Sequence, residues 1–238
     1  MKRPLKQKTI GLIGGCSNVA TGEYYKFLND EVNARLGGWE IAETLISGMN
    51  FGNIEAFVRA GAWDQLEAYM ERHVDRLIAG GADVILCVSN TLHKSLGKIM
   101  SGRDTSFIHI ADPTGEEIRN RGLEKIILLG TEPVMKQPYL KAHYEEKFGL
   151  EIIVPDPDEQ RDVDRIIFEE LVKFDIRESS RQRYLDIVDR LVREQDADGV
   201  ILGCTEIFLL LREEDLPELP MFNTTRLHCQ AAVDFALS

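Results

Sequence analysis

Two hydrophobic patterns alternate along the chain. Short, nearly continuous apolar runs read as buried strands, over residues 8–14, 43–49, 83–88, 106–110, 125–130, 151–154 and 199–202. Between most of them, apolar residues recur three and four apart, the spacing of a helix with one buried face. Tyr24, Leu28, Val32 and Leu36 mark the first such helix, with Thr21 as its expected cap and Gly37-Gly38 as its stop. Tyr24 and Tyr25 are both expected in the core. A turn at Asn50-Phe51-Gly52-Asn53 and a short helix precede a clear amphipathic helix over 64–79, carrying Leu66, Met70, Val74 and Leu77. Further helices are expected from Pro113 to about Gly122, from Pro133 onward, over 163–173 and 178–194, and over 225–237 at the close. The polar stretch 155–161 reads as a loop, and the region of Pro217 and Pro220 as an excursion. Strands alternating with helices want parallel sheets covered by helices.

The pattern occurs twice. Ile10-Gly11-Leu12-Ile13-Gly14 matches Ile126-Ile127-Leu128-Leu129-Gly130. From Gly14 to Ser89 is 75 positions, and from Gly130 to Cys204 is 74. The expected fold class is therefore α/β with two pseudo-symmetric lobes, each a parallel sheet flanked by helices. Residues 1–104 with 221–238 form the expected first lobe and 105–220 the second. Ser89 and Cys204 take equivalent places at strand ends, and the active site is expected in the cleft between the lobes. Carboxyl ends of strands are where open α/β sheets place their ligands.

Composition narrows the function without naming it. The chain is 44% hydrophobic and 29% charged, the balance of a soluble globular protein. No apolar stretch approaches the length of a membrane span. The basic start, residues 1–7, reads as a solvated lead-in to the first strand. A net charge of −12 argues against nucleic acid as partner. An acidic small substrate would need local help from backbone N–H groups and helix N-termini. Cys16, Cys87, Cys204 and Cys229 are widely spaced and form neither a disulfide framework nor a zinc pattern, so cytoplasm is the default compartment. Gly14-Gly15 lacks the spacing of a dinucleotide fingerprint. No cofactor and no metal is expected.

Of the four cysteines, Cys204 carries the chemistry. It sits between a Gly turn and the polar pair Thr205-Glu206, whereas Cys87 and Cys229 read as small buried hydrophobes, with Cys16 in between. Thr205-Glu206-Ile207 is expected to open a helical turn that favours the Cys204 thiolate. Thr205 and Glu206 suit a substrate ammonium or the tuning of the thiol. A serine hydroxyl such as that of Ser89 is a much poorer base and needs an activator. His93 is one turn away from it, too far to assume contact. Asn90 and Thr91 suit a carboxylate. His73 and His109 read as structural, His93 and His228 as open, and Glu213-Glu214-Asp215 as a solvated face.

Three motifs together give the chain a resemblance. Gly11-Leu12-Ile13-Gly14-Gly15-Cys16-Ser17, Ser89-Asn90-Thr91-Leu92-His93 and Gly203-Cys204-Thr205-Glu206, with Ile108-His109-Ile110-Ala111-Asp112 and Asn223-Thr224-Thr225-Arg226-Leu227-His228, resemble the aspartate/glutamate racemase family over essentially the whole chain. The resemblance implies a two-lobed fold, a homodimer, and α-proton transfer between two residues without pyridoxal phosphate or metal. In the usual pattern both residues are cysteines. Carried over, they fall on Ser89 and Cys204. The implied substrate-binding set is Cys16, Ser17, Thr21, Asn50, Asn90, Thr91, His93, Thr131, Thr205 and Glu206.

The chain departs from that pattern. Ser89 replaces the first cysteine, Cys16 and Asn18 stand where methionine and an aromatic residue are usual, Asn223 replaces aspartate, and Val172 falls where many members carry a lysine that grips the distal carboxylate. A subgroup resembling L-aspartate/glutamate-specific racemases has threonine at the Ser89 position. The expected activity is thus a cofactor-independent racemase of aspartate or glutamate that prefers the L enantiomer. Two alternatives stand beside it. One is a single-thiol decarboxylase of a substituted malonate, resembling the arylmalonate decarboxylases. The other is a catalytically weak protein that binds an acidic amino acid.

Overall fold

A computed structural model describes residues 5–238. The basic lead-in expected at the start lies partly outside the described residues. In chain order the elements are β1 (Ile10–Gly14), α1 (Asn18–Leu36), β2 (Thr44–Gly48), α2 (Phe51–Arg59), α3 (Trp63–Ala79), β3 (Val84–Cys87), α4 (His93–Met100), β4 (Ser106–Phe107), α5 (Ala111–Asn120), β5 (Lys125–Leu129), α6 (Glu132–Lys136), α7 (Pro138–Phe148), β6 (Glu151–Ile153), α8 (Pro157–Glu169), α9 (Glu178–Gln195), β7 (Gly199–Leu202), β8 (Met221–Asn223) and α10 (Thr224–Leu237).

The strands form two four-stranded parallel sheets, ordered β2-β1-β3-β4 and β6-β5-β7-β8. The second order repeats the first. Packing divides the chain into two compact units. The first holds residues up to Val88, 95–109 and 228–238; the second holds 89–94 and 110–227. This division differs from the lobes expected from the sequence at 89–94, 105–109 and 221–227.

In the first unit, Ile10, Leu12, Val84 and Leu86 of β1 and β3 pack against Ala20, Tyr24, Leu28 and Val32 of α1 and against Cys229, Ala232 and Val233 of α10. Tyr24 is buried, but its neighbour Tyr25 is 43% exposed, because consecutive residues on a helix face directions about 100° apart. In the second unit the two faces of β5 and β7 feed two clusters. Ile127, Leu129, Val200 and Leu202 pack with α8 and α9, while Ile126, Leu128 and Ile201 pack with α5 and α7. Alternation of period two inside an all-apolar run is what a sheet covered on both faces requires.

The repeat extends to detail. Asp83 and Asp198 precede β3 and β7. Asp83 Oδ2 accepts from Thr9 N–H at 2.6 Å, and Asp198 accepts from Glu124 and Lys125 N–H at 3.1 Å each. Before each lies a buried alanine, Ala82 or Ala197, and before that a left-handed residue, Gly81 or Asp196. After each strand the chain bonds back in the same way. Val88 N–H donates to Ile13 O at 3.1 Å, and Gly203 N–H donates to Leu129 O at 2.6 Å. Ser89 and Cys204 therefore follow at equivalent positions.

Several expected elements differ. The stretch 155–161 is the start of α8, because Asp156 and Glu159 form a capping box and Pro157 sits in the first turn. The helix from Pro133 breaks into α6 and α7 at Pro138, which cannot continue the hydrogen-bond ladder. The strand expected over 106–110 pairs only at Ser106 and Phe107. Two short elements were not read as such from the sequence: α4, of eight residues, and β8, of three.

Candidate active site

The expected site residues lie at the carboxyl ends of strands in both units. In the first unit, β1 runs into Gly15, whose φ is +83°. A Cβ there would lie 2.0 Å from Met49 O, so only glycine lets this turn close on the end of β2. Ser17, not Thr21, caps α1: its hydroxyl accepts from Ala20 N–H at 3.1 Å. Thr21 sits inside the first turn, where its Oγ1 accepts from Gly15 N–H at 2.8 Å and donates to Ser17 O at 2.7 Å. Its hydroxyl is taken up by the turn. Asn50, expected in a turn, is the cap of α2, with Oδ1 accepting from Gly52 N–H at 3.0 Å. Cys16 is buried between these turns.

Ser89, Asn90, Thr91, His93, Thr131, Cys204, Thr205 and Glu206 all belong to the second unit. Asn90 Nδ2 donates to Thr224 Oγ1 at 3.1 Å, and Thr224 Oγ1 donates to Leu202 O at 2.9 Å, two residues before Cys204. Thr91 and Thr131 hydroxyls meet at 2.9 Å, and Tyr139 OH donates to Asn90 O at 3.2 Å. These bonds hold the Ser89 segment at the carboxyl ends of β5, β7 and β8. From the sequence, Thr224 stood only within the resemblance motif Asn223–His228, with no role, and Tyr139 was not marked. The paired threonines Thr224-Thr225 just after a Pro-bounded excursion were the available signal.

Around Ser89 the hydroxyl accepts from Leu92 N–H at 3.4 Å. His93 starts α4 and turns its Nδ1 to the Ser89 carbonyl at 2.7 Å. Asn90 Oδ1 is buried without a protein partner, an acceptor left over for a bound group.

Around Cys204 the chain is tighter. A Cβ at Gly203 would lie 2.7 Å from Leu129 O, which explains the glycine before the cysteine. Cys204 is 8% exposed, and its Sγ donates to Glu206 Oε2 at 3.0 Å. Thr205 Oγ1 donates to the same oxygen at 2.9 Å. The helical turn expected to favour the thiolate is only a three-residue 3₁₀ turn, Ile207–Leu209. Burial pushes the Cys204 thiol well above its ordinary value, and the Glu206 carboxylate pushes it further the same way. The low-pKa thiolate expected from the sequence is thus corrected: the resting group is a thiol.

Two further histidines hold hydrogen bonds within the first unit. His228 bridges Tyr24 OH and Ile108 O at 2.9 Å each. His73 bonds Ser47 Oγ at 2.8 Å, and burial with Arg76 and Arg72 nearby lowers its pKa. Cys87 and Cys229 are fully buried, as small hydrophobes are. No helix among the described residues is long and apolar enough to cross a membrane.

A duplicated α/β fold with two parallel sheets of matching strand order is the fold of the amino-acid racemases, which are isomerases. The Asp/Glu/hydantoin racemase family model matches residues 13–232, and the chain belongs to that family. A Yersinia pestis protein classed as an Asp/Glu racemase is 38% identical, with a TM-score of 0.88 over 97% of this chain and 100% of its own. PH1733 of Pyrococcus horikoshii, an aspartate racemase homologue, is 28% identical, with a TM-score of 0.84 over 97% and 100%. The Picrophilus torridus aspartate racemase, at 18% identity and a TM-score of 0.73 over 95% and 93%, shares the fold.

Proposed function

We propose that this chain interconverts the enantiomers of an acidic amino acid, aspartate or glutamate, with no cofactor, and that Cys204 and Ser89 exchange the α-proton. The observation that carries this is the equivalence of the two strand ends. The backbone bonds Val88 to Ile13 and Gly203 to Leu129 leave a hydroxyl, Ser89, and a thiol, Cys204, one residue past matching points of two strands, which supports giving them matching roles. Racemisation needs one group to remove a proton from one face of Cα and another to return one to the opposite face.

Cys204 is the base for the L enantiomer. Its thiolate takes the α-hydrogen, and the electron pair is left on the substrate as an enolate of the α-carboxylate. Ser89 returns a proton from its hydroxyl, directly or through a water. Thr91 and Thr131 present hydroxyls, and Asn90 its second amide N–H, for the substrate's carboxylate, while Asn90 Oδ1 and the Thr205 hydroxyl beside the thiol offer acceptors to the ammonium. The names of the relatives and the polar character of these side chains favour an acidic substrate over an aryl malonate. The working form is a homodimer in the cytoplasm.

Enantiomers have equal free energy, so kcat/KM is the same in both directions. The thiol–hydroxyl difference must appear in kcat and KM separately, with the larger kcat from the L side. The test is α-proton exchange in D2O, followed by NMR, on L- and D-aspartate and L- and D-glutamate, with chiral chromatography of the same samples. Exchange with inversion supports the reading and names the substrate. No exchange with any of the four overturns it. Release of carbon dioxide from a substituted malonate would then point to the decarboxylase.

A further inference from the structure

Thr224 is a fully buried hydroxyl whose bonds go outside its own segment. It stands between β8 and α10, and the capping of α10 falls to its neighbour Asn223, whose Oδ1 accepts from Arg226 N–H at 3.1 Å. The Thr224 hydroxyl instead reaches two other segments of the second unit. It donates to Leu202 O at 2.9 Å and accepts from Asn90 Nδ2 at 3.1 Å.

That arrangement fixes a polarity. A hydroxyl has one hydrogen, and a carbonyl oxygen can only accept. With its hydrogen on Leu202 O, Thr224 offers Asn90 only lone pairs, so the amide must present its NH2 group. A reversed amide would set two oxygens against each other or draw the hydrogen away from Leu202 O. The backbone of Asn90 is held as well, since its carbonyl accepts from Tyr139 OH at 3.2 Å. What Thr224 removes is the freedom of the amide to turn over.

The consequence falls on the other end of the amide. Asn90 is 2% exposed, and its Oδ1 is buried without a protein partner. An unpaired buried acceptor is costly, so it favours a ligand that brings a donor. Among the groups of an acidic amino acid the ammonium is that donor, and a carboxylate is repelled. Thr91 and Thr131 differ, because two hydroxyls meeting at 2.9 Å can exchange donor and acceptor and adapt to either group.

We propose that Thr224 fixes the Asn90 amide with Oδ1 toward the substrate's ammonium, and so lets the site tell an amino acid from the dicarboxylic acid of the same length. The inference rests on the reading of an acidic amino acid as substrate. Thr224 is a positioning residue that acts through Asn90.

The test is calorimetry of L-aspartate against succinate, and of L-glutamate against glutarate, on the wild type, Thr224→Val and Thr224→Ser. Valine keeps the shape and removes the hydroxyl, which frees the amide to turn. Thr224→Val is expected to bind the amino acid about tenfold to a hundredfold more weakly, and the dicarboxylic acid no more weakly than the wild type does. Thr224→Ser keeps the hydroxyl and should bind both as the wild type does. Equal weakening of the two ligands would make Thr224 a mere prop for the segment and overturn the proposal. So would a greater loss for the dicarboxylic acid, or no change in either.

If Thr224→Val fails to fold, wild-type crystals with bound aspartate or glutamate decide. The ammonium nitrogen is expected about 3 Å from the Asn90 amide atom that faces away from Thr224. A carboxylate oxygen there, or no substrate atom, overturns the proposal. A wild type that racemises, while Thr224→Val keeps its preference between the two ligands, loses this proposal alone. Binding without racemisation ends the racemase reading and leaves the calorimetry to decide Thr224. A wild type that neither binds nor racemises these amino acids ends both.

Discussion

The ends of β3 and β7 are the same structure built twice and used differently. Each strand is entered through a left-handed residue, a buried alanine and an aspartate, and each is left through a backbone bond to its neighbour in the sheet, β1 or β5. At the β3 end, Val88 carries a side chain into the core, the bond is 3.1 Å, and the residue delivered is a half-buried hydroxyl. At the β7 end, Gly203 has no side chain, the bond is 2.6 Å, and the residue delivered is a buried thiol on a carboxylate. Backbone geometry was duplicated while the chemistry was not. A scaffold fixes where a group sits, and the groups around it fix which way protons flow.

The largest test removes one side of the comparison. Cys204→Ala should lower α-proton exchange by about a thousandfold, the range for losing a positioned base. Exchange that survives would end the proposed roles of both strand ends. The next restores the symmetry. Ser89→Cys should raise kcat from the D side by roughly tenfold to a hundredfold and bring the two kcat values together, while the kcat/KM ratio stays at one. Progress curves from each enantiomer, read by chiral chromatography, would show it. Unchanged kcat values would place the slow step elsewhere.

Smaller effects separate the two units by stability. Asp112 of α5 bonds His143 at 2.7 Å and Lys147 at 2.7 Å, all in the second unit. Burial raises its pKa, but these two partners outweigh that and hold the carboxyl at about 2. Its folded pKa is depressed, so its contribution is present above pH about 4 and lost as pH falls toward 2. Asp112→Asn should cost about 1 kcal/mol at neutral pH, allowing for solvent screening, and nothing at the acid end. Hydrogen exchange by segment would place that loss in the second unit.

The smallest pair compares two caps. Ser17 uses its hydroxyl on its own helix, whereas Thr131, the cap residue of α6, gives its hydroxyl to Thr91 instead. Ser17→Ala should cost about 1 kcal/mol of stability in urea unfolding. Thr131→Ala should cost a few tenths at most and show instead as a raised KM. Equal stability losses would break the distinction.

Much of this was written in the residues. The apolar runs gave β5 and β7 to within a residue, and the spacing between Gly14 and Ser89 and between Gly130 and Cys204 gave the duplication, because strand and helix periods are local properties of the chain. The Gly203-Cys204-Thr205-Glu206 run marked the candidate site at the end of β7. Caps were less legible. Ser17, Asn50 and Asp156 all precede helices, yet Thr21 and a polar loop were the stronger surface patterns, since side-chain identity alone does not say which of two nearby hydroxyls or carboxylates the helix will use.

What tertiary structure alone decided is the state of the thiol. From sequence, polar neighbours and a following turn promised an easily formed thiolate. The fold buries Cys204 among α8 and α9 and sets Glu206 against it, and both effects favour the protonated form. A strand needs only its own residues to declare itself. A pKa depends on desolvation by elements far along the chain and on where even a neighbouring carboxylate is held, and both are settled only after the chain has packed.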